Sequence, residues 1–299
     1  MFQKIELRRT RDFSEKINAT FEFGRQNLKP LGKALLYITG PFIVLQGLFN
    51  GLYQNEILGK TGMRGLEVFS SGSDAVLWMG LMYLFLFLSY VSSLIIVYEY
   101  LRLYEVRTDN RPIEVNELWE EVKVNYLPMI GSLLILTILI FIGFILLLIP
   151  GIYIMVVFSL IPPIMIIEKM GFSDAFSRAF KIISEKWWST FGLIIIMGLI
   201  VGFMGLIFSL PQLIFTTMSA FHGLDSTVEV PVWQNAGMII SAIVYSAGAG
   251  LLQSLIFIAI AFQMYNLIER KEAKGLMSKL ENFGKSAEQQ NSADTNETY

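Results

Sequence analysis

The 299-residue chain is 54% hydrophobic and 16% charged, with 23 Lys and Arg against 25 Asp and Glu. A soluble domain carries about 25% charged residues, so this balance excludes an ordinary soluble domain and calls for long apolar runs. With no cysteine and a single histidine, it also excludes disulfide frameworks, thiolate catalysis and Cys-based metal sites, together with most histidine-dependent hydrolysis.

In chain order, residues 1–30 carry charge throughout and lack the early apolar core of a cleavable signal. They read as a cytoplasmic amphipathic segment, with Phe13, Ile17 and Phe21 at four-residue spacing. Charge-free or nearly charge-free runs then predict spans at about 33–53, 75–100, 127–149, 151–167, 188–210 and 235–267. A hydrocarbon core of ~30 Å needs roughly 20 helical residues, and spanning segments are helices because every backbone group must be satisfied internally. The 127–167 run is two helices, with the break expected at Pro150-Gly151 in a hairpin on the far side. The fifth span is expected to end at Pro211, before a loop over 212–235 that carries Asp225 and Glu229. Residues 270–285 continue the sixth span as a polar helix, and the 286–299 tail is expected to be disordered.

Charge placement sets an orientation. Twenty-one of the 23 Lys and Arg fall in segments that share one side, and the exceptions, Lys60 and Arg64, lie in one loop. Short cationic loops stay cytoplasmic, so both termini are expected inside. Twenty acids accompany those bases, leaving little net potential and arguing against nucleic acid or a lipid-phosphate patch as partner. Trp78 and Trp233 fall at outer span edges, Trp187 and Trp188 at an inner edge, and Trp119 in a cytoplasmic amphipathic stretch, as interfacial indoles do.

The expected fold class is all-α: a polytopic membrane protein with six transmembrane helices in three units, each an amphipathic helix followed by a hairpin. The transmembrane domain covers 31–269, flanked by the 1–30 segment and the 270–299 helix and tail. The second lead-in carries Val115, Leu118, Trp119, Val122 and Tyr126. The third carries Phe172, Phe176, Phe180, Ile183 and Trp187, with Arg178, Lys181 and Lys186 off that stripe. This period reads as helices lying in the interface plane. Ser93-Leu94-Ile95, Ser159-Leu160-Ile161 and Ser254-Leu255-Ile256 each precede a glutamate, Glu99, Glu168 or Glu269, at the cytoplasmic exit.

Residues with chemistry are few. His222 beside Asp225 reads as an incidental surface histidine; no metal, cofactor or catalytic site is assigned. Glu99 and Glu168 sit at inner helix ends within reach of Arg102 and Lys169, and no ionisable residue is expected at the bilayer midplane. Gln253 is the most buried polar candidate and is expected to make an interhelical hydrogen bond. Gly47 and Gly51, Gly198 and Gly202, and the Ser246–Gly250 stretch are expected to pack helices closely. Pro162-Pro163 should kink the fourth span and free carbonyls near 158–159, one of which Ser159 would satisfy.

The stretch 150–198 resembles the membrane domain attached to some bacterial glycerophosphodiester phosphodiesterases and its stand-alone six-helix relatives. The resemblance runs through Pro150, Gly151, Tyr153, Ser159, Pro163, Glu168, Ala175, Arg178 and the Trp188 to Gly192 entry to the next span. Val156-Val157 occupies the place where those relatives carry a basic residue. The resemblance implies the fold and a bacterial cell-membrane location; with no room for the soluble domain, it does not imply the phosphodiesterase activity. The expectation is therefore a non-catalytic scaffold or accessory subunit in the lipid bilayer, acting on a membrane or cytoplasmic protein partner. The alternative is a small-solute or lipid permease, with a cavity lined by Ser159, Gln253 and Gln263. Candidate interaction or pathway residues are Ser159, Pro163, Glu168, Arg178, Trp188 and Gln253.

Overall fold

The computed structural model describes residues 4–60, 74–107, 111–224 and 231–273, with side chains described except at 58–60 and 222–224. Most of those residues are helical, with no strand among them. Six helical stretches are long and apolar enough to cross a membrane. Arg64, Asp225, Glu229, the 274–285 extension and the 286–299 tail lie outside the described residues, as does the His222 side chain.

Helix α1 (Phe13–Ala34) starts at a capping box in which Asp12 Oδ1 accepts the Glu15 amide at 2.9 Å and Glu15 accepts the Asp12 amide at 3.0 Å. It passes through a π-helical turn at Leu35–Thr39 into α2 (Gly40–Lys60). Pro30 lies within α1 and supplies no amide donor to the preceding turn; the wider π turn follows five residues later and keeps the helix unbroken. The first lead-in and first span are thus one helix rather than two. The second lead-in behaves likewise, since α4 (Val115–Leu146) contains it together with the span. Only the third is a separate element: α7 (Phe172–Ile183) is divided by a turn from α8 (Trp187–Leu224).

Two breaks fall away from their expected places. Leu147 is extended (φ −163°, ψ 146°) and forms the α4–α5 turn. Pro150 then sits in the first turn of α5 (Leu148–Phe158), where its missing N–H costs nothing. Gly151 is required there, because a Cβ would lie 2.9 Å from the Phe144 backbone nitrogen. Pro162 and Pro163 do not kink a continuous span but open a new helix, α6 (Ile161–Ile167), after a turn at Ser159–Leu160. The Ser159 hydroxyl donates to the Val156 carbonyl at 2.7 Å, not to a freed carbonyl at 158–159.

Pro211 does not end α8, which runs on to Leu224. The extension is held by Thr216 donating to Gln54 at 2.8 Å and by Gln234 donating to Ser219 at 2.9 Å. Membrane helices tolerate such prolines when neighbours support the freed groups. Helix α9 (Val232–Glu272) closes at Ala273, which is left-handed with φ 48°.

Helix α3 (Asp74–Val106) completes the set, and the packing has a cyclic order. The helices that leave the charged end of the bundle, α2, α4 and α8, each form a hairpin with the next returning helix, α3, α5–α6 or α9. Each also touches the returning helix of the preceding unit: α4 on α3, α8 on α5, α2 on α9. The returning helices α3, α6 and α9 touch one another, and their side chains Leu94, Ile95, Ile161, Ile164, Phe257 and Ile258 fill the main core.

Glycine spacing explains part of this order. A Cβ at Gly47 would stand 2.5 Å from Ile243 Cα and one at Gly51 2.6 Å from Ile239 Cα, so α2 and α9 meet backbone to backbone. In the sixth span, Gly248 accommodates the Phe208 ring of α8. Gly198 and Gly202, expected to pack in the same way, have nothing within 4 Å. Their face of α8 is turned out of the bundle beside Leu199 and Phe203, 57% and 71% exposed.

Candidate functional site

Polar chemistry gathers at the charged end, where the N-terminal segment, the ends of α3 and α9, and the lead-in helices meet. Glu168, at the C-terminal cap of α6, and Arg178 on α7 are brought together. Arg178 Nη2 donates to Glu168 Oε1 at 2.8 Å and Nη1 to Glu272 Oε1 on α9 at 2.9 Å. A planar guanidinium can fork over two carboxylates in this way. Burial works against its charge, but the hydrogen bonds that Glu168 and Glu272 accept from it outweigh that, and the Arg178 pKa is raised. The Lys271 ammonium meanwhile donates to Ser184 Oγ at 2.8 Å and to the Lys181 carbonyl, capping the end of α7.

A matching clasp occurs one unit earlier. Glu99 on α3 is buried, paired with Arg102 at 2.5 Å, and accepts Asn125 Nδ2 of α4 at 2.9 Å. In both units, a glutamate at the end of a returning helix holds the lead-in that follows. The N-terminal segment is fastened by Arg8 pairing with Glu105, which also accepts the Tyr265 hydroxyl at 2.8 Å. The Arg11 amide donates to Asn266 Oδ1 at 2.8 Å, and its guanidinium lies 5.0 Å from the Phe262 ring centroid. Desolvation lowers the Arg11 pKa, with Arg9 adding to the effect.

The buried face of α1 differs from the expected Phe13–Ile17–Phe21 stripe. It runs through Lys16, Ala19, Thr20, Phe23, Asn27, Leu31 and Ala34. Phe13, Ile17 and Phe21 instead pack its flank against Leu193, Met197 and Ala259. Lys16 is 1% exposed. Its ammonium donates to Gln263 Oε1 at 2.6 Å and Ser189 Oγ at 3.0 Å, with the Phe13 ring 5.6 Å away. Gln263 passes the bond on, donating to Thr190 Oγ1 at 2.8 Å. Sequence reasoning missed Lys16 because a lone lysine on an amphipathic segment reads as solvated. The available signal was its place in the series Lys16, Thr20, Phe23, Asn27, Leu31 and Ala34, which keeps helical period.

The remaining candidates separate. Trp188 is 77% exposed, with its ring edge-on to Trp187 at 4.8 Å. Pro163 is buried in the first turn of α6. Gln253 is half-buried and, among the described residues, has no hydrogen-bond partner; the interhelical bond expected of it is made by Gln263. Ser159 lines a cavity of about 310 Å³ between α3, α4, the α5–α6 break and α9. Neither Gln253 nor Gln263 lines that cavity, so Ser159, Gln253 and Gln263 do not share a pathway. Among the described residues, no group of three or more His, Asp or Glu is placed to hold a metal ion.

A family model described as a domain of unknown function (DUF7847) matches residues 121–266. The match runs from the second lead-in into α9, just under half of the chain. No curated protein and no solved structure matches the chain significantly.

Proposed function

We propose that this protein is a non-catalytic scaffold or regulatory subunit of a bacterial cytoplasmic membrane, with both termini cytoplasmic. In this reading its six helices are three copies of one lead-in-plus-hairpin unit, and it engages a membrane or cytoplasmic protein through the charged end. The observation that carries the reading is the Arg178 fork over Glu168 and Glu272. The groups that would be candidates for chemistry join α6, α7 and α9 to one another. Asn125 does the same for α3 and α4 through Glu99, and Arg102 does so through Glu121. A reactive centre keeps a group poised for substrate; here the strongest pair is consumed in holding helices together. The result is a plate whose outward side chains, such as Trp119 (45% exposed), are left for contact.

The resemblance to the phosphodiesterase membrane domain is kept as support for the location alone. A permease reading is favoured by the 310 Å³ cavity, yet that cavity is separate from Gln253 and Gln263. Purified protein in liposomes is expected to move no solute or lipid above the protein-free rate. Transport that Gln253→Ala abolishes would overturn the scaffold reading. Orientation is checked separately, because a cysteine-free chain needs only single substitutions. A membrane-impermeant maleimide in intact cells should label Thr217→Cys and spare Ser177→Cys; the reverse pattern contradicts the orientation.

A further inference from the structure

The cavity behind Ser159 has walls of unequal character. Leu136 and Thr137 of α4, Phe257 of α9 and Ser159 surround it, with Tyr90 and Tyr98 on the α3 side. On α4, the outward neighbours Leu134, Ile138 and Phe141 are 50%, 59% and 65% exposed on a helix apolar enough to cross a membrane. The cavity wall is thus about one residue's rotation from the side chains that face hydrocarbon. A molecule entering beside α4 would come from the bilayer, not from water.

Two of the polar features carried by its lining residues are incomplete. Tyr98 is 1% exposed, and among the described residues its hydroxyl has no hydrogen-bond partner. A hydroxyl without a partner in such apolar surroundings is free to donate to a bound acceptor. Pro162 and Pro163 have no N–H, so the Phe158 and Ser159 carbonyls lack the amide donors four residues on; both residues line the same cavity. Along α3, Tyr98 precedes Glu99 at the charged end, and Phe87 lies deeper by 11 residues, about 16 Å of helix. The chamber therefore has a hydroxyl donor near the charged-end interface and an apolar floor toward the bilayer centre.

We propose that this cavity binds one acyl chain of a membrane glycerolipid from the leaflet at the charged end, with the ester carbonyl accepting the Tyr98 hydroxyl. The chain runs along α3 toward Phe87, between α4 and α9. The site is independent of the scaffold reading, since either a scaffold or a permease could hold such a lipid.

The test uses the full chain in liposomes of phosphatidylethanolamine and phosphatidylglycerol, doped with phosphatidylcholine bearing a diazirine on one acyl chain. After irradiation, adducts are mapped by mass spectrometry. They should concentrate on 87–98, 133–140 and 155–162 over the open α8 face at Leu199, Phe203 and Ile207. Thr137→Trp and Ser159→Trp, on different walls, should remove the cavity adducts and leave those on α8. Tyr98→Phe keeps the ring and serves if the tryptophan variants do not fold; it should weaken labelling about fivefold, as loss of one neutral hydrogen bond does. Adducts spread evenly over both surfaces would overturn the site. So would unchanged labelling in the folded tryptophan variants, or in Tyr98→Phe where neither of those folds.

Discussion

Lys16 and Gln263, 247 residues apart, meet at 2.6 Å in the packed junction of α1, α8 and α9. The contact joins the start of the first helix to the end of the last. Its ammonium is held by neutral oxygens rather than a carboxylate.

A double-mutant cycle addresses that junction. Lys16→Met leaves the Gln263 carbonyl unpaired, and Gln263→Leu strips the ammonium of its shortest bond. Each single variant should lose about 1–3 kcal/mol, the cost of an unsatisfied buried polar group. The double variant should lose clearly less than their sum, giving a coupling of roughly 1–3 kcal/mol. Denaturation in mild detergent measures all four corners, and strictly additive losses would show that the contact does not hold the two ends together.

Arg178 gives a second, larger effect. Arg178→Gln leaves Glu168, whose side chain is 7% exposed, without its guanidinium, and removing one partner of a buried pair costs about 3–5 kcal/mol. Glu272 is 26% exposed and adds less. Arg178→Lys retains charge without the planar fork and should fall between. Thermal melting ranks the three proteins; equal stability of wild type and Arg178→Gln would contradict the clasp.

The two GxxxG pairs should behave oppositely. Gly47→Ala and Gly51→Ala force a Cβ into α9 backbone at 2.5 and 2.6 Å, an overpacking cost of about 1–3 kcal/mol or more. Gly198→Ala and Gly202→Ala meet open space and should be neutral, or gain a few tenths to ~1 kcal/mol from helix propensity. Melting temperatures separate the pairs, and matching losses at all four positions would contradict the packing described.

Asp12 carries a pH dependence whose sign follows from its cap. The Glu15 amide, followed by Ser14, holds its carboxylate pKa below the ordinary 3.8. The contribution is therefore complete above the ordinary value and is lost as pH falls through the lower folded value. Amide exchange at the start of α1 should accelerate in that acid window. Asp12→Asn, which caps without titrating, should remove the acid-dependent part. Identical pH profiles for the two proteins would count against the cap.

Much of the helical plan was legible because apolar run length is a strong signal. The second lead-in was legible too: Leu118 and Val122, on the expected stripe, are fully buried. Glu168 and Arg178 were both singled out, though not as a fork that includes Glu272. Other features depend on tertiary context. Whether Gly198 and Gly202 pack is decided by which way α8 is turned, and GxxxG spacing cannot state that. Proline spacing alone predicts a break at Pro150 and a kink at Pro162-Pro163, yet a proline fits the first turn of a helix, so the chain turns a few residues upstream of each. Lys16 was hidden because its partners lie on helices more than 170 residues away.

The protein-binding plate proposed for the charged end is open to direct capture. Benzophenone side chains placed at Trp119 and Asp174 at that end, and at Phe203 on the open α8 face, test it by photo-crosslinking in native membranes. Both charged-end positions should give the same discrete protein adduct, and Phe203 lipid adducts alone. Protein adducts at Phe203, with none at Trp119 or Asp174, would contradict it.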